Sequence, residues 1–285
     1  MNSAKVNRIK DAAFKYWGIF CTAICIALLA VFLGKILYDG LGRLDWNFLT
    51  SLPSRSAAKA GIWTALMGSV WILGLTAIIA FPMGVAAAVY LEEYGKKNRV
   101  GRLLEINISN LAGVPSIIYG LLGLELFVRI LGLGASVLSG ALTLSLLILP
   151  IIIVATRESI KAVPDTIRTA SFALGASKWQ TIWFQVLPAS LGGIFTGVIL
   201  ALSRAVGETA PLIVIGALAY VPFAPQTPFD EFSVMPIQIF NWISRPQHDF
   251  SVNAAAAIIV LLFVTFSMNG IAVYFRHRWQ KKIKW

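Results

Sequence analysis

Two charged residues, Arg204 and Glu208, lie near the centre of an apolar run that extends over residues 186–221. A charge at the centre of a bilayer costs roughly 2.5–3.5 kcal/mol on insertion scales, so such residues usually serve a function. Their spacing of four predicts that both side chains share one helix face, where they partly neutralise each other. The pair is therefore either an ion pair that holds helices together or part of a water-filled route for an anion.

The residue types suit an anion route. An arginine stays charged and presents a planar fork of donors to an oxyanion. Glu208 would satisfy the guanidinium when no anion is bound, and would keep anion binding weak enough for release. Gly207 permits close helix approach, and Pro211 can bend the helix so that the pair faces a cavity. We predict that Arg204 and Glu208 line a substrate pathway.

The remainder of the chain has the composition of a membrane protein. Of its 285 residues 58% are apolar and 13% are charged, against about 25% charged residues in soluble domains. Mean hydropathy is +0.77. We predict an all-α membrane protein that forms a single transmembrane domain over residues 1–285. Six runs are apolar and long enough for transmembrane helices: 16–37, 62–91, 103–131, 137–156, 188–221 and 254–274.

The basic residues predict the orientation of these spans. Most of the 24 Lys and Arg residues fall in the N-terminal tail, the loop after the second run, the segment after the fourth run and the C-terminal tail. In a six-span topology these four segments lie on one side, which the positive-inside rule places in the cytoplasm. We expect a multi-pass protein of the cell (inner or plasma) membrane with both termini cytoplasmic. The net charge of +11 follows from this topology and does not indicate a nucleic-acid partner.

A polar segment, residues 157–187, separates the fourth and fifth runs and is cytoplasmic by the same charge pattern. The Pro-Asp pair ending at Asp165 is typical of a helix start. Gly175 is typical of a helix end, and Ser177 can start a second helix. Two short amphipathic helices joined at a glycine could fill a groove on a partner. They could equally lie on the membrane surface, with Trp179 among the anchoring residues.

The spacing of Thr169-Ala170-Ser171, of Gly175 and of a later Leu-Pro pair resembles the EAA loop of ABC importer permeases. In that family the loop forms coupling helices that seat in the cytoplasmic ATPase subunit. The usual glutamate of the motif is replaced by Thr169. The resemblance implies that residues 157–187, here named the coupling segment, contact an ATPase. The residues assigned to this contact are Asp165, Thr169, Ala170, Ser171, Gly175 and Trp179.

The stretch around the charged pair, GVILALSRAVGETAPL, resembles the phosphate permeases of the Pst system of ABC importers. GVPSIIYG (113–120) resembles their third-span motif, and MPIQIFNWISRPQHDF (235–250) resembles PstA-type more than PstC-type subunits. The resemblance implies a type I ABC importer permease fold and a subunit that forms half of an ATP-driven inorganic phosphate pathway. It implies as partners a PstC-like permease, two copies of a PstB-like ATPase that bind the ATP, and a PstS-like phosphate-binding protein.

No motif of a catalytic or metal site is present in the sequence. The Gly-Lys-Ser/Thr of a P-loop, HExxH and GxSxG are all missing. Cys21 and Cys25 lie four apart in an apolar run, as small apolar residues on one helix face do. We therefore expect a non-catalytic subunit with no metal site and no cofactor of its own.

Three alternative functions remain open at this point. The same machine could carry another tetrahedral oxyanion, molybdate or sulfate. A proton-coupled secondary carrier could use Glu208 as a relay, although the inverted repeat typical of such carriers is not visible. A membrane scaffold or sensor would not need Arg204 for transport.

A long segment after the fifth run, residues 220–250, is rich in proline and aromatic residues and lies outside in the predicted topology. It could cap the outer mouth of a pathway and contact the binding protein. It could equally anchor the chain at the membrane interface.

Overall fold

The computed structural model describes residues 2–95, 99–217 and 220–280, and this part of the chain is almost entirely helical. Five helices in these ranges are long and apolar enough to cross a membrane: Lys10–Arg43, Trp63–Tyr94, Val137–Lys161, Lys178–Val206 and His248–Arg278. Each exceeds the roughly 20 residues that a bilayer core requires. The structure thus confirms an all-α membrane architecture, although five helices of the described ranges, rather than the six predicted, are long and apolar enough to span.

The α-helices in chain order are α1 (Asn2–Gly40), α2 (Trp46–Thr50), α3 (Trp63–Val89), α4 (Arg99–Leu111), α5 (Ser116–Gly123), α6 (Val137–Lys161), α7 (Asp165–Ala173), α8 (Lys178–Thr181), α9 (Leu187–Val206), α10 (Ala210–Val214), α11 (Met235–Ile243) and α12 (His248–Gln280). Wider π-type turns extend three of them: Tyr90–Tyr94 after α3, Leu124–Ile130 after α5, and Ile182–Val186 between α8 and α9. Short 3₁₀ turns, Leu41–Arg43 and Ala57–Lys59, flank α2.

The predicted third span is divided. α4 ends at Leu111, and a turn leads to α5, which begins at Ser116. The break follows from Pro115, because proline lacks an amide hydrogen and disfavours helical geometry in the residue before it. α5 is 8 residues long and its π extension is 7 residues long. Together they measure about 22 Å at 1.5 Å per residue, which is less than the hydrocarbon thickness of about 30 Å.

The predicted fifth span is also interrupted, and it begins earlier than predicted. One continuous helix runs from Lys178 to Val206, so α9 emerges directly from the coupling segment. Gly207 then ends α9, and α10 begins two residues beyond Glu208 with Pro211 in its first turn. Proline is favoured in a first turn and disfavoured in a helix interior, so Pro211 fits a new start rather than a bend in one long helix.

α3, α6 and α9 form the centre of the bundle. Ile72 of α3, Leu144 of α6 and Ile194 of α9 are buried in one apolar cluster. Gly193 and Gly197, four residues apart on α9, face α6 so closely that an added side-chain carbon would collide with Ser159 or Ala155. Small residues at this spacing let membrane helices approach one another, and they set the distance between α6 and α9.

The segment after α10 folds back into the bundle rather than lying wholly over it. The amides of Val137 and Leu138 donate to the carbonyls of Asp230 and Pro228 at 3.0 and 2.8 Å. Phe232 is fully buried in the central cluster. α11 then places Trp242 in a second apolar cluster with Phe48 and Phe250. Much of the predicted outer segment therefore closes one end of this chain's own core.

Candidate functional site: a charged helix break and a coupling segment

Arg204 and Glu208 meet at the end of α9. Arg204 lies in the last turn of the helix, and the amide of Glu208 donates to the carbonyl of Ala205 at 3.2 Å just beyond it. The Arg204 Nε and the Glu208 Oε1 are 3.5 Å apart. The predicted ion pair is therefore present, but the prediction that both residues share one continuous helix face is wrong, because Gly207 ends the helix between them.

The guanidinium of Arg204 is presented outward from the chain. Its side chain is 57% exposed, whereas that of Glu208 is 16% exposed. A cation at the C-terminal end of a helix is stabilised by the helix dipole. In a membrane such an arginine still needs water or a polar partner beyond this chain, because hydrocarbon supplies neither. The exposed side of α9 is therefore covered by water, by an anion or by another polypeptide.

The same face of α9 continues into a cleft. Gly193, Gly197, Leu200 and Arg204 follow one another at spacings of four, three and four residues, so they lie on one side of the helix. The first three line a cleft of about 500 Å³ between α6, α9 and α12. Its other lining residues include Glu158, Ser159, Ser190, Thr196 and Arg276. The arginine thus stands one turn beyond a partly polar groove.

The helix break is held from the other side by α5. Gly120 packs against α10 so closely that an added side-chain carbon would lie 2.7 Å from the Cα of Pro211. One residue earlier, the Tyr119 hydroxyl donates to the carbonyl of Leu111 at 2.9 Å and so satisfies the end of α4. The motif at 113–120 and the motif around Arg204, which are far apart in sequence, therefore contact each other. Sequence reasoning singled out both motifs but did not predict this contact.

The coupling segment forms two helices, as predicted. α7 begins at Asp165, and Gly175 has a φ of +83°, in the left-handed region that favours glycine. The amide of Ala176 donates to the carbonyl of Ser171 at 3.1 Å and that of Gly175 to Phe172 at 2.9 Å, the pattern that closes a helix end at a glycine. α8 then starts at a capping box made by Ser177 and Gln180.

The predicted contact residues differ in their exposure to solvent. Ser171 is half-buried, and its hydroxyl lies 2.9 Å from that of Thr181. The other five are exposed: Asp165, Thr169, Ala170, Gly175 and Trp179. Thr169, which replaces the usual glutamate of the motif, carries no charge. Its hydroxyl donates to the carbonyl of Asp165 at 3.0 Å. Leu174 is 89% exposed, so the turn presents an apolar tip.

Two ion-pair groups that sequence reasoning missed connect the coupling segment with the helix ends around it. Arg157 of α6 contacts Glu92 at 3.5 Å and Glu105 of α4 at 2.9 Å. Arg168 of α7 contacts Glu93 at 3.0 Å. The sequence signal was the Glu-Glu-Tyr run directly after the second apolar run, but the basic partners lie 65 and 75 residues away.

Comparisons with known proteins agree with this architecture. The family described as binding-protein-dependent transport system inner membrane component matches residues 80–281. The probable ABC transporter permease protein YqgI of Bacillus subtilis is 32% identical over 87% of this chain and 89% of its own length. The phosphate transport system permease protein PstA 1 of Mycobacterium tuberculosis is 36% identical over 79% and 73%, respectively. The phosphate transport system permease protein PstA of Haemophilus influenzae is 33% identical over 85% and 86%.

Two solved structures have the same fold at low sequence identity. A bacterial alginate ABC transporter chain matches with a TM-score of 0.65 and 13% identity, covering 92% of this chain and 94% of that one. A chain of the inward-facing MetNI methionine ABC transporter matches with a TM-score of 0.56 and 18% identity, covering 75% and 97%. The fold is that of ABC importer permeases, and the protein crosses the membrane several times. With this family match and relatives more than 30% identical over most of their length, the chain belongs to the family of inner membrane components of binding-protein-dependent transport systems.

Proposed function

We propose that this chain is the permease subunit of an ATP-driven importer of inorganic phosphate and forms half of its translocation pathway. The observation that carries the proposal is Arg204, an outward-facing arginine at a helix break within the membrane, paired at 3.5 Å with Glu208. Two relatives, both phosphate transport system permease proteins, support phosphate as the anion.

The pair suits transient anion binding. A guanidinium offers several donors in one plane, and only part of this capacity is used by Glu208 at 3.5 Å. An oxyanion would compete with the carboxylate for these donors. Return of Glu208 would then displace the anion, so binding stays reversible, as conduction requires. Protonated phosphate can also donate a hydrogen bond to Glu208, which sulfate cannot do at neutral pH.

The partners follow from the same proposal. A PstC-like permease would cover the exposed side of α9 and supply the second half of the pathway. Two PstB-like ATPase subunits would receive the coupling segments and bind ATP, so this chain would need no catalytic residue and no cofactor of its own. A PstS-like protein would deliver phosphate at the opposite side. Both termini would be cytoplasmic, because the coupling segment and the basic tails then share one side.

The test is uptake of labelled phosphate in cells that lack this chain and are complemented with wild type or Arg204→Gln, at equal membrane levels. Loss of one charge-assisted contact of about 1.5–3 kcal/mol predicts at least about a tenfold loss of uptake. Arg129→Gln is the matched control, because Arg129 forms an exposed ion pair with Glu125 at 3.0 Å. Full uptake by Arg204→Gln would contradict the proposed pathway role.

The same assay separates the other functions. Molybdate or sulfate as competitors should leave wild-type uptake unchanged, and strong competition would favour a different oxyanion. Uptake that persists when vanadate blocks the ATPase but stops with a protonophore would favour a proton-coupled carrier. Normal phosphate uptake in cells without the chain would favour a scaffold or sensor.

A further inference from the structure

Glu93 contacts both helices of the coupling segment. Its carboxylate Oε1 accepts from the Nε and Nη2 of Arg168 on α7, at 3.2 and 3.0 Å. Its backbone carbonyl accepts from the Nζ of Lys178 on α8. The Lys178 ammonium also lies 4.4 Å from the centre of the Tyr94 ring. One turn at the end of α3 therefore holds the two coupling helices at once.

Arg168 extends this connection to a fourth helix, α6. Its guanidinium donates to the carbonyls of Ile160 in α6 and Val163 after it, at 3.1 and 2.7 Å. The side chains of Arg168 and Glu93 are only 15% and 11% exposed. Charges so far removed from water are screened weakly, and loss of Arg168 leaves the Glu93 carboxylate without its guanidinium partner. Arg168 itself also pairs with Asp165 at 3.1 Å. By contrast, Glu125 and Arg129 form an exposed pair elsewhere in the chain, with side chains 57% and 66% exposed.

The two helices joined here both contain a π-type turn at the junction. Glu93 lies within Tyr90–Tyr94, which extends α3, and α8 passes into Ile182–Val186 before α9 begins. Such turns are rare in proteins, and many of those that do occur lie at functional sites. Glu93 thus lies in a segment whose helical hydrogen bonding is irregular, and the helix that begins at Lys178 contains a second such segment.

We propose that Glu93, through Arg168 and Lys178, is a positioning residue that fixes the coupling segment to α3, so that movement of the segment is transmitted to α3 as well as to α9. The inference rests on the proposed function, because it assumes that an ATPase moves this segment. Without the Glu93 contacts, the segment would reach the bundle only through its chain connections to α6 and α9. Attachment to α3, which packs on α6 in the central cluster, makes the core of the bundle move with it.

The experiment uses the purified complex with its ATPase and binding protein. Four variants are compared with wild type: Glu93→Gln, Arg168→Gln, the double variant, and Glu125→Gln as the matched exposed control. Copurification of the ATPase is measured first, so that failed assembly is recognised. Basal ATP hydrolysis and its stimulation by phosphate-loaded binding protein are then measured, together with backbone hydrogen exchange of residues 165–181.

We expect Glu93→Gln and Arg168→Gln each to lower the stimulation of hydrolysis by about fivefold or more, the lower end of typical coupling between sites. Hydrogen exchange of residues 165–181 should increase, and the double variant should be no worse than the worse single variant, because both changes break one contact. Glu125→Gln should match wild type. Rescue by Arg168→Lys of part of the stimulation would support the role of the charge.

Unchanged stimulation and unchanged exchange in Glu93→Gln would overturn the inference, as would single effects that multiply in the double variant. A variant that fails to copurify with the ATPase is judged by the exchange of its coupling segment in the isolated permease. If the wild-type complex shows no stimulation by phosphate, the proposed substrate is wrong. The exchange data then decide the inference separately.

Discussion

At the residue scale, the position of Arg204 determines what it can do. Its place in the last turn of α9 orients the guanidinium along the helix end, where the dipole contributes about 0.3–1 kcal/mol in favour of a cation. Within the described parts of the chain, Glu208 is the one carboxylate in ion-pair contact with it. Glu208 contacts the guanidinium at Nε, and the Arg204 side chain is half-exposed. The remaining guanidinium donors are therefore available for a transient ligand.

A prediction at the residue scale concerns Asp230, in the segment that closes the core. The side-chain hydroxyl of Thr227 at 2.7 Å, followed by the amides of Thr227 and Gln226, lowers the pKa of Asp230 below its ordinary value of 3.8. A depressed pKa means that the stabilisation is present above the ordinary value and is lost as the pH falls through the lower, folded-state value.

Asp230→Asn should therefore lower the thermal midpoint of the detergent-solubilised protein at pH 7, and the difference from wild type should narrow below about pH 4. Tryptophan fluorescence across a pH series measures both midpoints. Thr227→Val, which removes the shortest of the three hydrogen bonds, should give a smaller effect in the same direction. A difference that stays constant down to pH 3 would show that the charge of Asp230 is not responsible.

At the scale of elements, the turn of the coupling segment depends on Gly175. A valine at its φ of +83° is disfavoured by about 1–2 kcal/mol, so Gly175→Val should displace α7 from α8 and reduce phosphate-stimulated ATP hydrolysis severalfold. Gly175→Asn should retain activity, because asparagine tolerates this conformation. Gly132→Val introduces the same strain at φ +64° in another turn and should leave stimulation unchanged. Equal losses in both valine variants would indicate general misfolding.

The elements also show how far the sequence could predict this structure. The long apolar runs predicted the membrane helices. The coupling turn was predicted from Asp165, Gly175 and Ser177. Both kinds of signal are local in the sequence. The breaks at Pro115 and Gly207 were missed as breaks because apolar residues on both sides obscure them. The contact of Gly120 with Pro211 and the pair of Glu93 with Arg168 join distant parts of the chain, and a single sequence carries no signal for such pairings.

At the scale of the whole molecule, a large apolar surface is left uncovered. Within Lys10–Arg43 and His248–Arg278 only 6% and 17% of the most apolar window is buried. A helix that is apolar all round and unburied belongs in lipid or against another chain. The side of α9 that carries Arg204 differs from these surfaces, because it combines the charge with a partly polar cleft.

This difference leads to a prediction. After replacement of the exposed Cys21 and Cys25 by alanine, Leu200→Cys should react with a charged, membrane-impermeant thiol reagent in the assembled transporter. Ile78→Cys, on the exposed side of α3 and 70% exposed as Ile78, is the control. A cysteine in lipid forms little thiolate, so its reaction should be at least about tenfold slower. Similar rates at both positions would mean that the cleft side of α9 is not hydrated.

The continuous helix Lys178–Val206 has a further consequence for how the chain can vary. Its 29 residues give a length of about 43 Å, and each residue turns the helix by about 100°. The azimuth of Arg204 relative to the coupling segment is therefore set by the number of residues between them, whatever their types. One inserted residue would redirect the guanidinium by about 100°, whereas many substitutions would leave it in place. Relaxation of the π-type turn Ile182–Val186 to a regular turn would change the same angle without any change in the sequence.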